Sequence, residues 1–457
     1  MTLSKDFISQ IQTLLPPSEA RAMIESISER DATVAVRINS DKKHAVPQDF
    51  ECVPWCEHGV YLSRRLQFTF DPLFHAGAYY VQDASSMFIY HVIKCLVHEP
   101  VRYLDLCAAP GGKTTAALQA LPKGSVVVAN EIVPPRAHVL CENVVKWGNP
   151  ACMVTCDNPK TFGAMTSAFD VIAADVPCSG EGMFRKDNEA VLQWSPALVK
   201  QCAARQRTIL ADVWNALKPG GLLIYSTCTY NREENEEIVD YIINNLGASA
   251  VEIPVQQSWG VKPAIGCDLP CYRFLPHSTR GEGLFMCVLR KGTSTTAPIK
   301  TTKKKSKVSS VSLIPNIKSW VDQNHTLTDR QNIVTAVRND IKEMIEGSFD
   351  KLHVIKNFGT QLGEIKGKKI VPSHQLAMTV ERMANAFPEC EVNYHAAITY
   401  LRGESINIDA PRGYVLITFH GAPLGFVNNL GNRANNLYPK SWRIMSSHVP
   451  AIPTQIF

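Results

Sequence analysis

Short apolar runs alternate with helix-like stretches through the middle of the chain. Five runs have the length and composition of strands: Val101–Leu106, Ser125–Asn130, Met153–Thr155, Asp170–Ala174 and Gly221–Ser226. Helical patterns separate them, the longest at about Pro196–Leu217. Strands that alternate with helices in this way build a mostly parallel sheet. The pattern therefore predicts an α/β core over residues 98–291, and two later apolar segments, Val251–Val255 and Leu284–Leu289, could close its sheet as an antiparallel pair.

The region before this core, residues 1–97, predicts a small α+β domain. Two helical patterns are separated by Pro16–Pro17, and a strand-like run follows at Ala32–Asn39. The stretch Leu73–Met87 combines aromatic and polar side chains with little net charge. It is typical either of a packed connector or of a surface that lines a groove, and we favour the groove.

The region after the core begins with a linker and ends in small β structure. Residues 292–312 are rich in Lys, Thr and Ser, which predicts a solvated linker that could also touch phosphates. An intermediate region, 313–380, is predicted to be helical at Gln331–Ile345. Residues 381–457 resemble a small β-barrel that displays Arg, Lys, Asn, Tyr and Trp. Such groups suit contact with RNA, although any small β domain can carry them.

Composition narrows the class of protein. The 457 residues are 45% hydrophobic and 19% charged, with a net charge of +5, which is typical of a globular protein of two or three domains. No apolar run approaches the roughly 20 residues of a membrane span and no signal peptide is evident, so we expect a cytoplasmic protein. The 14 cysteines are scattered and should be reduced. Their spacing lacks CxxC pairs and nearby histidine pairs, so we predict no metal site.

The stretch Asp105–Thr115, DLCAAPGGKTT, has the order strand, glycine-containing turn, helix. That order brings free backbone N–H groups and the positive end of a helix to the carboxyl edge of a sheet, where nucleotide-like ligands bind. Adjacent glycines after a proline do not match the GxGxxG or Walker patterns. They still let the backbone approach a ligand without phosphates, such as S-adenosylmethionine. An ordinary turn is the alternative.

Two acidic residues follow the next strands. Glu131 comes at the end of the second strand, where an acid can accept hydrogen bonds from a ribose diol. Asp157 closes the third strand and could meet an adenine amino group. Each alone could be an exposed acid at a strand end, but together with the glycine turn they are candidate ligand contacts.

Cysteines follow the fourth and fifth strands, Cys178 in DVPCSG and Cys228 in STCTY. A lone buried cysteine is usually a small hydrophobe, whereas two at adjacent strand ends favour covalent chemistry. Addition of a thiolate to carbon 6 of cytosine would activate carbon 5 for methylation, and a second thiol could assist release. Asp175 is placed to face the base edge and the pair Arg185–Lys186 to hold the RNA backbone. The residues alone leave open which cysteine attacks.

Three motifs in order resemble the Nol–Nop–Sun family of RNA cytosine-5 methyltransferases: DLCAAPGGKTT, DVPCSGEGMFRK and STCTYNREENEE. VRIN at Val36–Asn39 and GAYYVQDASSM resemble the N-terminal region of that family. YLRGE at Tyr400–Glu404 and PLGFVNN…NNLYPKSWRI resemble the PUA-like domain of its bacterial RsmF-type members. Nearly the whole chain is covered, with the weakest match over about 313–380.

The resemblance implies an α/β fold: a Rossmann-like methyltransferase core, a small N-terminal α+β domain and a C-terminal α+β region with a PUA-like β-barrel. It implies that Cys228 is the nucleophile, Cys178 the release thiol and Asp175 a further catalytic residue. The implied contacts of S-adenosylmethionine are Cys107, Ala108, Ala109, Pro110, Gly111, Gly112, Lys113, Glu131, Asp157 and Asp175.

These observations together predict an S-adenosylmethionine-dependent RNA cytosine-5 methyltransferase with small-subunit (16S) rRNA as its target. A tRNA target, or a non-catalytic RNA-binding factor in ribosome assembly, are the alternatives. We expect a monomer whose partner is RNA, with no affinity for DNA or membranes.

Overall fold

The computed structural model describes residues 2–29, 31–42, 50–293, 317–345, 349–367, 369–446, 448–450, 453, 454 and 456. The predicted linker, 292–312, lies outside these residues apart from its first two positions. None of the helices within the described ranges is long and apolar enough to cross a membrane.

The N-terminal region combines helices with a small antiparallel sheet. Its helices are α1 (Lys5–Leu14), α2 (Pro17–Ser28), α3 (Pro72–His75) and α4 (Phe88–Leu96), and its strands are β1 (Val34–Ile38), β2 (Cys52–Val53), β3 (Cys56–Leu62) and β4 (Tyr79–Val81). The strand order is β2-β3-β1-β4. The predicted break between the first two helices is confirmed. Pro17 opens α2 because proline fits the first helical position but cannot donate the N–H that a continued helix would need.

The central sheet has the predicted α/β alternation. Its strands are β5 (Arg102–Asp105), β6 (Val126–Asn130), β7 (Cys152–Thr155), β8 (Phe169–Asp175), β9 (Leu217–Thr227), β10 (Ala248–Val251), β11 (Cys271–Phe274) and β12 (Leu284–Lys291). Its helices are α5 (Gly112–Ala120), α6 (Pro134–Trp147), α7 (Pro159–Gly163), α8 (Asn188–Gln193), α9 (Pro196–Val213) and α10 (Glu236–Leu246). Every residue of β6 is buried, as expected for an interior strand of a parallel sheet covered on both faces.

The strand order of the central sheet fixes where a ligand can bind. The strand order is β10-β12-β9-β8-β5-β6-β7. Strands β9, β8, β5, β6 and β7 are parallel to one another, and β12 runs antiparallel to both of its neighbours, β9 and β10. The order reverses between β5 and β8, and a crevice opens outside the carboxyl ends of strands at such a reversal. The α/β fold class with a Rossmann-like core is therefore confirmed. The closing antiparallel pair is formed by β10 and β12; β12 contains the predicted Leu284–Leu289, but the predicted strand Val251–Val255 is wrong apart from its first residue, because β10 ends at Val251.

The C-terminal region adds two four-stranded sheets. Its helices are α11 (Asn339–Ile345), α12 (His374–Met378) and α13 (Tyr394–Leu401), and its strands are β13 (His325–Arg330), β14 (Ile333–Arg338), β15 (Val354–Lys356), β16 (Thr360–Lys366), β17 (Lys369–Pro372), β18 (Glu389–Glu391), β19 (Gly413–Phe419), β20 (Ala422–Asn429) and β21 (Ala434–Asn436). The sheets have the orders β13-β14-β16-β17 and β18-β19-β20-β21. Short 3₁₀ turns complete the secondary structure at Ser40–Lys42, Phe68–Phe70, Ser85–Met87, Glu181–Met183, Trp214–Ala216, Gln257–Trp259, Ile317–Ser319 and Lys440–Trp442.

The helix predicted over 331–345 is wrong in its first half. Strands β13 and β14 form a hairpin there, and the helix α11 begins only at Asn339. The two turn residues, Gln331 and Asn332, have φ values of 53° and 65°. Positive φ at both central residues is the mark of the tight turn that joins twisted antiparallel strands, and the alternation in IVTAVR is the strand signal that the helical interpretation missed.

Both ends of the chain pack onto the core. Strand β15 pairs antiparallel with β7 and so adds a C-terminal strand to the central sheet. Val36 and Val60 of the N-terminal sheet share one apolar cluster with Val415 and Ile417 of β19. The C-terminal region is thereby attached to both the central sheet and the N-terminal sheet.

Candidate active site

The turn between β5 and α5 forms one wall of a cavity of about 170 Å³. Gly111 caps α5 with a φ of 113°, a conformation that only glycine adopts without strain. The residues that line the cavity are Tyr80, Val81, Gln82, Asp83, Ser86, Asp105, Cys107, Ala108, Ala109, Pro110, Gly112, Lys113 and Asp175. Six of the seven predicted cofactor-loop residues are thus at the cavity, and Gly111 shapes the turn behind it.

The opposite wall comes from the aromatic and polar stretch that follows β4. Tyr80 to Asp83 and Ser86 face the cofactor turn across the cavity, so the groove predicted from Leu73–Met87 is confirmed. The lining contains three carboxyl groups, those of Asp83, Asp105 and Asp175, against the single ammonium group of Lys113. A net negative lining fits a cationic ligand, and the sulfonium of S-adenosylmethionine is such a cation.

Glu131 and Asp157 lie at the same sheet edge but are not among the described residues that line this cavity. A carboxylate oxygen of Glu131, Oε1, accepts a hydrogen bond from the Val133 N–H at 3.0 Å. Asp157 Oδ2 accepts one from the His353 N–H at 2.8 Å, just before β15. The C-terminal region therefore orients one of the predicted cofactor contacts, a link that the sequence did not indicate.

Asn130, the last residue of β6, ties these strand ends together and was missed by sequence reasoning. Its side-chain N–H₂ donates to the Leu106 carbonyl at 3.1 Å and the Asp157 carbonyl at 3.0 Å. Its carbonyl oxygen accepts from the Thr155 hydroxyl and the Asp157 N–H, both at 2.9 Å. The sequence signal that could have identified Asn130 is an amide side chain at the end of an apolar strand, directly before the predicted ribose-binding acid.

The two predicted cysteines meet beside Asp175. The sulfur atoms of Cys178 and Cys228 are 3.2 Å apart. Asp175 ends β8, where its Oδ1 accepts from the Ser226 hydroxyl at 2.7 Å and its Oδ2 from the Lys113 ammonium at 2.8 Å. The structure thus joins the cysteine pair, the carboxylate and the cofactor loop within one site.

Burial and charge give the groups of this site different proton affinities. The contact with Cys228 and burial hold the pKa of Cys178 well above the usual value of a thiol. Burial alone would lower the pKa of Lys113, but the adjacent Asp175 carboxylate outweighs it and the pKa is raised, with Cys228 contributing in the same direction. Lys113 therefore remains a cation beside Asp175. Burial also raises the pKa of Asp105 to about 7, although the Thr114 hydroxyl donates to it at 2.6 Å.

The predicted role of Arg185 in holding an RNA backbone is wrong for this residue. Its guanidinium is buried and forms an ion pair with Glu282 at 2.8 Å, and it also donates to the Gly281 carbonyl at 2.6 Å. Both partners are on the segment before β12, so Arg185 fastens the Cys178 loop to the sheet. Lys186, its neighbour, is exposed. Two adjacent basic residues in a sequence do not reveal that one of them forms an ion pair with a buried acid.

Sequence profiles of three related domains match the chain. The profile of 16S rRNA methyltransferase RsmB/F matches residues 95–290. The profile of the N-terminal domain of 16S rRNA methyltransferase RsmF matches residues 3–84, and that of the methyltransferase RsmF PUA domain matches residues 387–444. The three matches follow one another along the chain without overlap.

Curated relatives are similar over nearly their full length. Ribosomal RNA small subunit methyltransferase F of Klebsiella pneumoniae (strain 342) is 29% identical over 466 residues, which cover 95% of each chain. The enzyme of the same name from Aliivibrio fischeri (strain MJ11) is 28% identical over 464 residues, covering 95% of this chain and 96% of the relative.

Solved structures share the fold. A methyltransferase homolog protein from Pyrococcus horikoshii has a TM-score of 0.54 and 26% identity, covering 63% of this chain and 95% of its own. NSun6 from Pyrococcus horikoshii, solved with SFG, has a TM-score of 0.53 and 19% identity over 63% of this chain and 98% of its own, which is a likeness of fold alone. The three profiles match in order along the chain, which is thus similar to 16S rRNA methyltransferase RsmB/F in its core and to RsmF in its N-terminal and PUA domains, and the protein is an S-adenosylmethionine-dependent methyltransferase.

Proposed function

We propose that this protein methylates carbon 5 of a cytosine in 16S rRNA. The observation that carries the proposal is the pair of sulfur atoms, Cys178 and Cys228, which lie 3.2 Å apart on the loops that follow β8 and β9. A methyl transfer to oxygen or to an exocyclic nitrogen requires no thiol. Carbon 5 of cytosine does, because it becomes nucleophilic only after a thiolate has added to carbon 6. The names of the curated relatives support the rRNA target.

In the proposed reaction the Cys228 sulfur forms a bond to carbon 6, and the ring electrons move toward carbon 5. The Lys113–Asp175 pair provides the hydrogen bond or proton that ring nitrogen 3 needs at this stage. Bound S-adenosylmethionine supplies the methyl group. The proton on carbon 5 then passes to a base, the bond between Cys228 and carbon 6 breaks, and the Cys178 S–H stabilises the departing sulfur.

The cofactor contacts proposed for this reaction are the loop from Cys107 to Lys113, with Glu131, Asp157 and Asp175. Glu131 would accept hydrogen bonds from the ribose and Asp157 would meet the adenine amino group. Asp105 and Asp83, which line the cavity, add negative charge that favours a sulfonium ligand. No metal ion takes part in the proposed chemistry.

The N-terminal region, the described parts of 313–380, and the PUA-like region, 381–457, are proposed to dock the RNA while the core, 98–291, performs the chemistry. A target cytosine must leave its base stack to reach the cysteine pair. We further propose that the enzyme acts as a monomer in the cytoplasm and does not act on DNA.

The test compares 16S rRNA from cells with and without this protein by bisulfite sequencing. One cytosine should lose its protection when the gene is deleted and regain it on complementation. Purified protein with labelled S-adenosylmethionine should transfer label to 16S rRNA or to the small subunit. Label in tRNA alone would replace the target, and binding of RNA without any transfer would favour a non-catalytic assembly factor.

A further inference from the structure

Two buried carboxylates connect the loops that carry the cysteines, and neither takes part in the reaction proposed above. Glu181 follows Cys178 and is fully buried, as is Glu234, which follows Cys228. In neither case does a described cation lie within ion-pair distance, since all their hydrogen bonds come from neutral donors. A buried anion held only by neutral groups is costly to maintain.

The carboxylate of each loop binds the backbone of the other loop. Glu234 Oε2 accepts from the N–H of Ser179, the residue after Cys178, at 2.9 Å. Glu181 Oε2 accepts in turn from the N–H groups of Tyr230 and Asn231, at 2.6 and 3.2 Å. The two contacts are reciprocal, so neither loop can move without breaking a charge-assisted hydrogen bond.

Further hydrogen bonds complete this cross-brace between the loops. The Gly182 N–H donates to the carbonyl of Cys228 itself at 2.7 Å. The Asn231 side chain donates to Glu181 Oε1 at 3.0 Å and to Glu234 Oε1 at 2.8 Å. One amide thus bridges both carboxylates, and the network fixes the relative position of the two sulfur atoms.

The two sulfur atoms interact electrostatically with side chains of opposite charge. Contact with Cys228 and burial are the main causes of the raised pKa of Cys178, and the negative charge of Glu234 adds to them. The cation of Lys113, held by Asp175, interacts electrostatically with Cys228. Negative charge near a thiol lowers its thiolate fraction, so the carboxylate of Glu234 favours the protonated form of Cys178.

We propose that Glu181 and Glu234 are positioning residues that hold the two sulfurs together and keep Cys178 as a thiol while Cys228 reacts. A Cys178 S–H can then donate toward the Cys228 sulfur as the electron pair of the broken bond to carbon 6 returns to that sulfur. Cys178 would otherwise compete as a second thiolate. This inference rests on the proposed function for its kinetic part only.

The first test needs neither RNA nor turnover. The full-length protein and its Glu234→Gln and Glu181→Gln variants are treated with iodoacetamide over a range of pH, and mass spectrometry follows the alkylation of each cysteine. Glu234→Gln keeps the shape and removes the charge, so Cys178 should react about tenfold faster at pH 8, corresponding to about one unit in pKa. Glu237→Gln, an exposed acid in the same motif, is the matched control and should leave both rates unchanged.

The second test measures methyl transfer and binding. Both glutamine variants should lower kcat about tenfold and accumulate covalent RNA adduct, with the Kd for S-adenosylmethionine unchanged. A merely structural role would lower Tm but leave the ratio of the two alkylation rates and kcat at their wild-type values, and that result would overturn the proposal. If Glu234→Gln does not fold, Glu181→Gln decides. An altered alkylation ratio without methylation of any RNA would instead contradict the proposed function.

Discussion

In each half of the active site, buried charged side chains join separate segments through neutral partners: a guanidinium on the cofactor half and two carboxylates on the cysteine half. On the cofactor half, the Arg37 guanidinium is fully buried and donates to Gln82 Oε1 at 2.9 Å, to Thr115 Oγ1 at 2.5 Å and to the side chain of Gln119. Its carbon lies 4.4 Å from the centre of the Trp147 ring. One cation thus ties the N-terminal wall of the cavity to helix α5.

On the cysteine half, the anions of Glu181 and Glu234 hold the loops, and their partners are neutral donors. The difference has a chemical consequence. A buried anion beside a thiol opposes the ionisation of that thiol. On the other half, the cavity lining already has three carboxyl groups, and the buried cation adds no further negative charge to them. The negative charge of Glu234 thus favours the protonated form of the neighbouring thiol, whereas the carboxyl groups of the cavity lining, and not Arg37, favour a cationic ligand.

The largest effects should come from the cysteines themselves. Cys228→Ala should reduce turnover by more than about a thousandfold, because the nucleophile is lost and the neighbouring thiol, Cys178, stays protonated. Cys178→Ala should leave the protein attached to RNA as an adduct stable in denaturing gels, because the release step is lost. Methyl transfer and gel shift measure the two outcomes. If Cys228→Ala traps RNA and Cys178→Ala does not, the assigned roles are reversed.

Removing the cation of the cofactor half should be the next largest effect. Arg37→Met leaves the buried side-chain oxygens of Gln82 and Thr115 without this donor, which should lower the free energy of unfolding by about 3 kcal/mol. Urea denaturation measures this change. The exposed Arg21→Met is the control and should change stability by less than about 0.5 kcal/mol. Equal effects of both substitutions would show that Arg37 does not hold the cavity wall.

The smallest expected effect tests whether the cofactor half and the cysteine half act independently. Glu131→Gln should raise the Kd for S-adenosylmethionine about tenfold, because a ribose contact of a charged group is weakened, and should leave the alkylation rates of Cys178 and Cys228 unchanged. Isothermal titration and mass spectrometry give the two values. The exposed Glu99→Gln is the control. Altered cysteine reactivity in Glu131→Gln would mean that the halves are not independent.

The sequence by itself determined the fold class and which residues reach the active-site edge. Hydrophobic period and strand-end position place Asp105, Glu131, Asp175, Cys178 and Cys228 at the carboxyl ends of parallel strands, and all of them are found there. This part is predictable because side-chain period and turn chemistry are local properties of the chain.

Only the tertiary structure decided what those residues touch. The ion pair of Arg185 with Glu282 joins residues 97 positions apart, and the β15 strand enters the central sheet from a region that the sequence left unmatched. The cross-brace of Glu181 and Glu234 likewise joins loops about 50 residues apart. The partner of a buried charge is set by long-range packing, and no local pattern records it. The same nonlocal packing brought two sulfurs from neighbouring strands to 3.2 Å and gave them different surroundings.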